Sequence, residues 1–209
     1  MWGMARMNGI VLIRHAQTDL VGKFCGQSDP DLNAGGEQRL RSLAEEIAPL
    51  GIKRIYSSDL RRASRTAAAI GERIRVAVEF RPGLREIHFG LWEGLSWEEV
   101  ERQYPQEAEL WAREFPTRSA PQGESYADFI ARVEAEFNRL IREHDGSVSA
   151  AVTHRGVLQY ALTRFFGLSE ADARLRTEEF GTIVLATQIE NPCSGFSRIV
   201  EPGYVFTVD

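Results

Sequence analysis

A three-layer α/β/α fold is the class this sequence predicts, with a mostly parallel central sheet and a small helical cap at about residues 91–121. Three observations carry it. Short runs of apolar β-formers alternate with longer segments of helical period, the pattern of strands joined by crossover helices. The first run, Ile10–Ile13, is apolar at every position, as suits a strand covered on both faces. A stretch from Leu84 to Pro121 breaks the alternation and holds Trp92, Trp97 and Trp111. A length of 209 residues suits a single domain, residues 1–209, carrying that insertion.

The elements follow in order. Ile10–Ile13 reads as a buried strand, and the Gly-, Asp- and Pro-rich VGKFCGQSDPDLNAGG as a loop. EQRLRSLAEEIAPL places Leu40, Leu43, Ala44 and Ile47 on one helical face. IKRIYSS is a second strand. DLRRASRTAAAIGERI is a helix with Asp59 near its start, where a carboxylate favours the dipole. VAVEF is a third strand. After the cap, GESYADFIARVEAEFNRLI has the stripe Phe129, Ile130, Val133, Phe137 and Leu140, with Ser125 and Asp128 as a capping box. VSAAVT is a strand, RGVLQYALTRFFG a helix stopped by Gly167, TIVLATQI a further strand, and the tail adds a short one.

Composition excludes several function classes. Lys plus Arg is 25 and Asp plus Glu is 30, a net charge of −5, which argues against a general binder of nucleic acid or anionic membrane. Anions would need locally concentrated arginines. Cys25 and Cys193 stand far apart in no CxxC pattern, so neither a disulfide framework nor a zinc site is indicated, and a reducing cytoplasm fits. No stretch has the apolar length of a signal peptide or membrane span. Met4 and Met7 are alternative starts.

The chemistry gathers where strands end. Ile10–Ile13 runs into Arg14-His15. VSAAVT runs into His154-Arg155-Gly156. IKRIYSS runs into a helix carrying Arg61, Arg62 and Arg65. In open α/β sheets ligands bind beyond the carboxyl ends of strands, and helix N-termini there favour anions. A phosphate suits such a place. A neutral imidazole can attack phosphorus, arginines can hold the equatorial oxygens, and a second histidine can donate to them. A carboxylic acid must then protonate the leaving oxygen. Glu86 is the candidate, because Leu84, Ile87, Phe89 and Trp92 surround it with apolar residues that would raise its pKa. Each residue taken singly has a plainer reading. A lone histidine is most often structural, Arg61, Arg62 and Arg65 could be a solvated helix face, Glu86 and Glu93 surface acids, and the tryptophans cap core. His88 and His144 read as structural or exposed.

Four segments in order resemble the histidine phosphatase superfamily, in the branch with cofactor-dependent phosphoglycerate mutases. LIRHAQT resembles its RHG motif, and YSSDLRRASRTA its S-x-L-x-R-A-x-x-T-A helix. LREIHFGLWEG resembles its L-x-E-x-x-F-G-x-W-E-G segment, and VTHRGVL its second-histidine motif. The resemblance spans about residues 10–190. It implies that His15 is the phosphorylated nucleophile, that Arg14 and Arg62 bind the phosphoryl group with His154, and that Glu86 is the proton donor. Gln17, Thr18, Cys25, Gly26, Trp92 and Arg113 are further phosphate or substrate contacts. Arg61 and Arg65 fall outside the motif's arginine slot.

The sequence departs from the family pattern in places. Ala16 stands for the usual Gly after the nucleophile, Gln17 for a common Glu, and Val21 where many relatives have a phosphate-binding Asn. Trp97 stands where a mutase has Lys, and Ala112-Arg113 where it has an arginine pair. Loss of these cationic contacts favours hydrolysis over transfer. The implied function is a metal-independent phosphomonoesterase without a cofactor, acting on a small phosphorylated metabolite. FCGQSDPDL resembles a stretch of α-ribazole-phosphate phosphatases, which makes α-ribazole phosphate a lead. A phosphoglycerate mutase and a non-catalytic phospho-ligand binder are the alternatives. The tryptophan-rich cap offers a homodimer contact.

Overall fold

The computed structural model describes residues 9–186 and the backbone of 187–189 and 197–199. Cys193 and the alternative starts lie outside the described residues. Six strands form one sheet: β1 (Gly9–Arg14), β2 (Arg54–Ser57), β3 (Val78–Phe80), β4 (Ser149–Thr153), β5 (Ile183–Ile189) and β6 (Ser197–Ile199). Their order is β3-β2-β4-β1-β5-β6. The pairs β3–β2, β2–β4 and β4–β1 are parallel, while β5 and β6 join antiparallel. The sheet is therefore mostly parallel, and β1 lies inside it.

Helices α1 (Ala34–Ile47) and α2 (Arg61–Ile74) cover one face, and α5 (Tyr126–Arg142), α6 (Arg155–Arg164) and α7 (Glu170–Arg176) the other. This explains the uninterrupted apolar run of β1. Val11 and Ile13 pack with Leu43, Ile47, Ala63 and Ile70, while Leu12 points the opposite way into Phe129, Val133, Phe137 and Leu158. Between β3 and α5 lie α3 (Trp97–Gln103) and α4 (Pro105–Glu114), with their own small core of Trp92, Val100, Ala108 and Ala120. No helix among the described residues is long and apolar enough to cross a membrane.

Local chemistry differs from expectation at three points. Asp59 does not serve the start of α2. Its carboxylate pairs with Arg85, and Asp29 of the preceding loop accepts the Arg61 N–H instead, at 2.6 Å. Ser125 caps α5 through Asp128 N–H at 3.0 Å, but the Asp128 carboxylate takes the Ser125 hydroxyl rather than closing a reciprocal box. The reciprocal box is at Ser96 and Glu99, where α3 begins. Helix α7 has no counterpart in the sequence reading. Its seven residues span barely two turns, too short for a 3.6-residue period to stand out, and Ser169 caps it through Asp172 N–H.

The two core layers make a stability prediction. Phe137 is buried against Phe165, with ring centroids 5.4 Å apart. Phe137→Ala should cost about 4 kcal/mol in urea unfolding, whereas Phe80→Ala, at a position 52% exposed, should cost less than about 0.5 kcal/mol. Similar losses at both positions would contradict this burial pattern.

Candidate functional site

Parallel pairing brings the strand ends together. Arg14 of β1 stands opposite Thr153 of β4, so the next residues, His15 and His154, leave the sheet side by side. The His15 N–H bonds to the Thr153 carbonyl at 2.9 Å, which locks that exit. Both imidazoles are buried, with ring centroids 5.1 Å apart.

The proton on His15 is set by its neighbours. Nδ1 lies 2.7 Å from the Ala16 carbonyl, which can only accept, so Nδ1 carries the hydrogen. Nε2 is then a bare lone pair, and Arg62 Nε–H donates to it at 3.2 Å. Burial and the charges of Arg62 and Arg14 hold the ring well below the ordinary histidine pKa. Ala16 has no positive φ, so its methyl is accommodated, and its N–H bonds to Thr66 Oγ1 at 3.0 Å.

Arg62 is fully buried on α2. Its outer edge donates to the carbonyls of Ser28 at 2.7 Å, Cys25 at 3.0 Å and Gly26 at 2.6 Å. It has no carboxylate partner among the described residues, so its charge is not neutralised. Arg14 is held differently. Nη1 donates to the carbonyls of Thr177, at 3.0 Å, and Glu178, and its guanidinium lies 3.8 Å from the Phe180 ring centroid. Burial and the nearby Arg155 push its pKa down to about 10, still charged at neutral pH.

His154 is the residue before α6. Its Nε2 lies 2.9 Å from Ser58 Oγ, which also accepts the Leu60 N–H. Nδ1 is buried with no partner among the described residues. Burial, with the charges of Arg62, His15 and Arg14, keeps this ring neutral too. Glu86 completes the group. Its Oε2 accepts the Gly156 N–H at 2.9 Å and Oε1 the Ile87 N–H at 3.1 Å. Burial nevertheless prevails and raises its pKa above the ordinary carboxylate value. A side chain at Gly156 would run into Glu86 Oε1, so glycine there leaves room for the acid.

The other candidates lie elsewhere or act differently. Gln17 and Thr18 bind Asn33, the residue capping α1, through Gln17 Oε1 at 3.2 Å and the Thr18 carbonyl at 3.0 Å. Cys25 and Gly26 use their carbonyls on Arg62. Trp92 is a correction: it has no exposed surface and forms the centre of the cap core, so it cannot line a binding wall. Arg113 is exposed on α4 and pairs with Glu114 at 2.9 Å, without a bond to the histidines. Arg61 pairs with Asp29, and Arg65 with Asp31 and Glu37, as a solvated face would.

Glu93, for which the sequence leaves a surface acid as the plain reading, has an architectural part in the structure. Its carboxylate accepts four backbone N–H groups: Gly26 at 2.9 Å, Gln27 at 2.8 Å, Ser28 at 3.0 Å and Phe89 at 2.9 Å. Burial opposes its ionisation, but these bonds outweigh it and hold the carboxyl below the usual range. Glu93 thus clamps the loop whose carbonyls hold Arg62. Arg132 fixes the chain around Glu86 in a similar way, donating to the carbonyls of Gly83, Arg85 and Glu86 at 3.1, 2.9 and 3.3 Å. The available signal for Glu93 was its apolar neighbourhood, the same that singled out Glu86.

These groups offer a bare imidazole nitrogen, two guanidiniums, a second imidazole nitrogen without a partner and an acid whose protonated form burial favours. That set can bind an oxyanion and transfer it. Glu93→Gln replaces an acceptor-only group by an amide whose NH2 must face backbone donors. The loss of charge-assisted bonds, about 1.5 kcal/mol or more, should weaken inorganic phosphate binding about ten-fold by calorimetry. Unchanged affinity would show that the loop holds Arg62 without the clamp.

Comparison with known proteins places these motifs. A family model described as the histidine phosphatase superfamily (branch 1) matches residues 10–188. Phosphoserine phosphatase 1 of Hydrogenobacter thermophilus is 32% identical over 147 residues, covering 69% of this chain and 70% of the relative. A probable phosphoglycerate mutase of Serratia proteamaculans is 32% identical over 174 residues, covering 80% and 79%. The crystal structure of a putative α-ribazole-5′-P phosphatase from Escherichia coli superposes with a TM-score of 0.82 over 96% of this chain and 98% of that one. At 22% identity it speaks for the fold alone.

Proposed function

This chain belongs to the histidine phosphatase superfamily (branch 1), and on that premise we propose that it hydrolyses small phosphomonoesters through a phosphohistidine on His15, without a metal ion. The observation that carries this reading is the state of His15, whose hydrogen sits on the Ala16 carbonyl side and whose Nε2 lone pair faces Arg62.

The steps follow from the groups present. When a phosphoryl group enters, an equatorial oxygen takes over the Arg62 Nε–H, and Nε2 is released to attack phosphorus. The Nε2–P bond forms as the P–O bond to the alcohol breaks. Glu86, whose protonated form burial favours, gives its proton to the departing oxygen. Arg14, Arg62 and, in the tautomer where Ser58 donates to Nε2, the Nδ1–H of His154 hold the equatorial oxygens while charge passes through them. In the second half, Glu86 as carboxylate takes a proton from water, the water oxygen bonds to phosphorus, and the N–P bond breaks. His15 returns neutral, and inorganic phosphate leaves.

The substrate within this class is a finer question. The FCGQSDPDL resemblance favours α-ribazole phosphate. The backbone of this loop is largely committed to Arg62 and Glu93, however. Holding Arg62 accounts for such a loop in any phosphatase of the family, so it is weak support for a ring-bearing substrate. A mutase reading draws on the Serratia relative. Against it, Trp97 packs among Phe24, Trp92 and Trp111 rather than presenting a cation.

Two experiments test the proposal. His15→Ala should reduce turnover of p-nitrophenyl phosphate by at least about 10³-fold in the presence of EDTA, on the scale of removing a catalytic nucleophile, with its melting temperature little changed. Near-wild-type activity would exclude a phosphohistidine here, and an enolase-coupled assay with 3-phosphoglycerate would reveal a mutase. The pH profile carries the second. The neutral form of His15 is lost only as pH falls through its lowered pKa. The protonated form of Glu86 is lost as pH rises through its raised one. Turnover of alkyl phosphates should therefore fall on the alkaline side, and Glu86→Gln should slow it while removing that limb. An alkaline limb that persists in the variant would assign it to another group.

A further inference from the structure

We infer that Arg155 is a specificity-determining residue that binds a carboxylate on the substrate's alcohol portion, so that the preferred substrates are phosphorylated hydroxy or amino acids. This rests on the phosphatase reading and adds to it the class of the leaving group.

Arg155 is the first residue of α6 and follows His154 directly, on the strand end that pairs with Arg14. It is half-buried, and its Nε is buried with no partner. No carboxylate lies within ion-pair distance of it among the described residues. That sets it apart from Arg39, Arg61, Arg65, Arg73, Arg81, Arg85 and Arg132, each of which meets an acid. The acids at the same rim, Glu178 and Glu179, are exposed. Arg155 is near enough to Arg14 for the two charges to oppose each other. An unpaired guanidinium held beside another is unfavourable in the free protein and is relieved by an anion between or beside them.

Charge matching indicates which anion. Arg14, Arg62 and Arg155 supply three positive charges, while the histidines are neutral, burial favours the protonated form of Glu86, and Glu179, whose charge acts on Arg14, is exposed to solvent and pairs with none of the three. A phosphomonoester dianion answers two of them. Arg14 and Arg62 already flank the nucleophile, so the third belongs to a second anionic group a few bonds from phosphorus. The planar fork of a guanidinium suits a carboxylate. Phosphoserine and phosphoglycerate, in the names of the two relatives above, both carry one in that place.

The test uses phosphoserine and phosphoethanolamine, which differ by the carboxylate alone. Wild type should show at least ten-fold higher kcat/KM for phosphoserine, and Arg155→Gln should lower that ratio at least ten-fold, chiefly through KM. Arg155→Lys should restore part of it. A ratio unaffected by Arg155→Gln, or equal turnover of the two compounds by wild type, overturns the inference. Calorimetry on His15→Ala separates the two readings. Tighter binding of phosphoserine, lost on adding Arg155→Gln, upholds the carboxylate contact even if wild type turns neither compound over, an outcome that would count against the phosphatase reading alone. Equal binding of the two compounds overturns the contact whatever the turnover.

Discussion

The buried guanidinium of Arg62 is the constraint around which the site is organised. Taking a cation fully out of water costs several kcal/mol unless its hydrogens find acceptors. A carboxylate would be the simplest partner, but it would also cancel the charge. This chain uses three carbonyls of the loop at 25–28 instead. They satisfy the geometry and leave the net charge in place for an oxyanion. That solution has a consequence. A loop that turns its carbonyls toward Arg62 must settle its N–H groups elsewhere, and Gly26, Gln27 and Ser28 give theirs to Glu93. The remaining Nε–H of Arg62 meets His15, and its charge disfavours the imidazolium. Arg62 thus links the loop, the clamp and the protonation state of the histidine.

The sheet supplies the other half of the constraint. A parallel β1–β4 pair puts two carboxyl ends at one edge, and their register sets His15 against His154. Such an arrangement needs helices on both faces, because a parallel sheet has no wet side. Two core clusters meet that need, one under α1 and α2 and one under α5, α6 and α7. The antiparallel strand β5 closes β1 on its far side and brings the 177–182 segment back over the strand end. Arg14 finds its carbonyls and Phe180 there.

Much of this was legible before any coordinates. The apolar run of Ile10–Ile13 implied a doubly covered strand. Arg14, His15 and His154 stood out because polar residues at strand ends need a reason, and Glu86 because of its apolar neighbours, whereas only the resemblance to the superfamily's motif set Arg62 apart from Arg61 and Arg65. What could not be read were interactions carried by backbone. Glu93 looked like Glu86 or any surface acid, since four main-chain N–H donors leave no mark in the sequence. The role of the loop at 25–28 was hidden for the same reason. Its resemblance motif drew attention to Cys25 and Gly26 as ligand contacts, and their carbonyls turn to the protein. Trp92 failed in the other direction. Its size and position near the site suggested a wall, but a ring of that area is more stable buried, and Phe24, Trp97 and Trp111 bury it. Helix α7 was too short to show its period.

Glu86 and Glu93 show how one segment can push two carboxyl pKa values in opposite directions. They are seven residues apart in the same apolar stretch, and composition does not distinguish them. Glu86 is the more deeply buried and receives two N–H bonds, which do not offset its desolvation, so its pKa is raised toward the protonated form. Glu93 is less buried and receives four, which do, so its pKa is lowered toward the ionised form. The division suits the parts proposed for them. A clamp that gained a proton near neutral pH would release the loop and with it Arg62. An acid that lost its proton near neutral pH would have nothing to give the leaving oxygen, and as a buried anion it would offset the charge of the two arginines. The number of backbone donors each side chain meets, set by where the chain turns around Gly26 and Gly156, therefore decides which carboxyl is structural and which can move a proton.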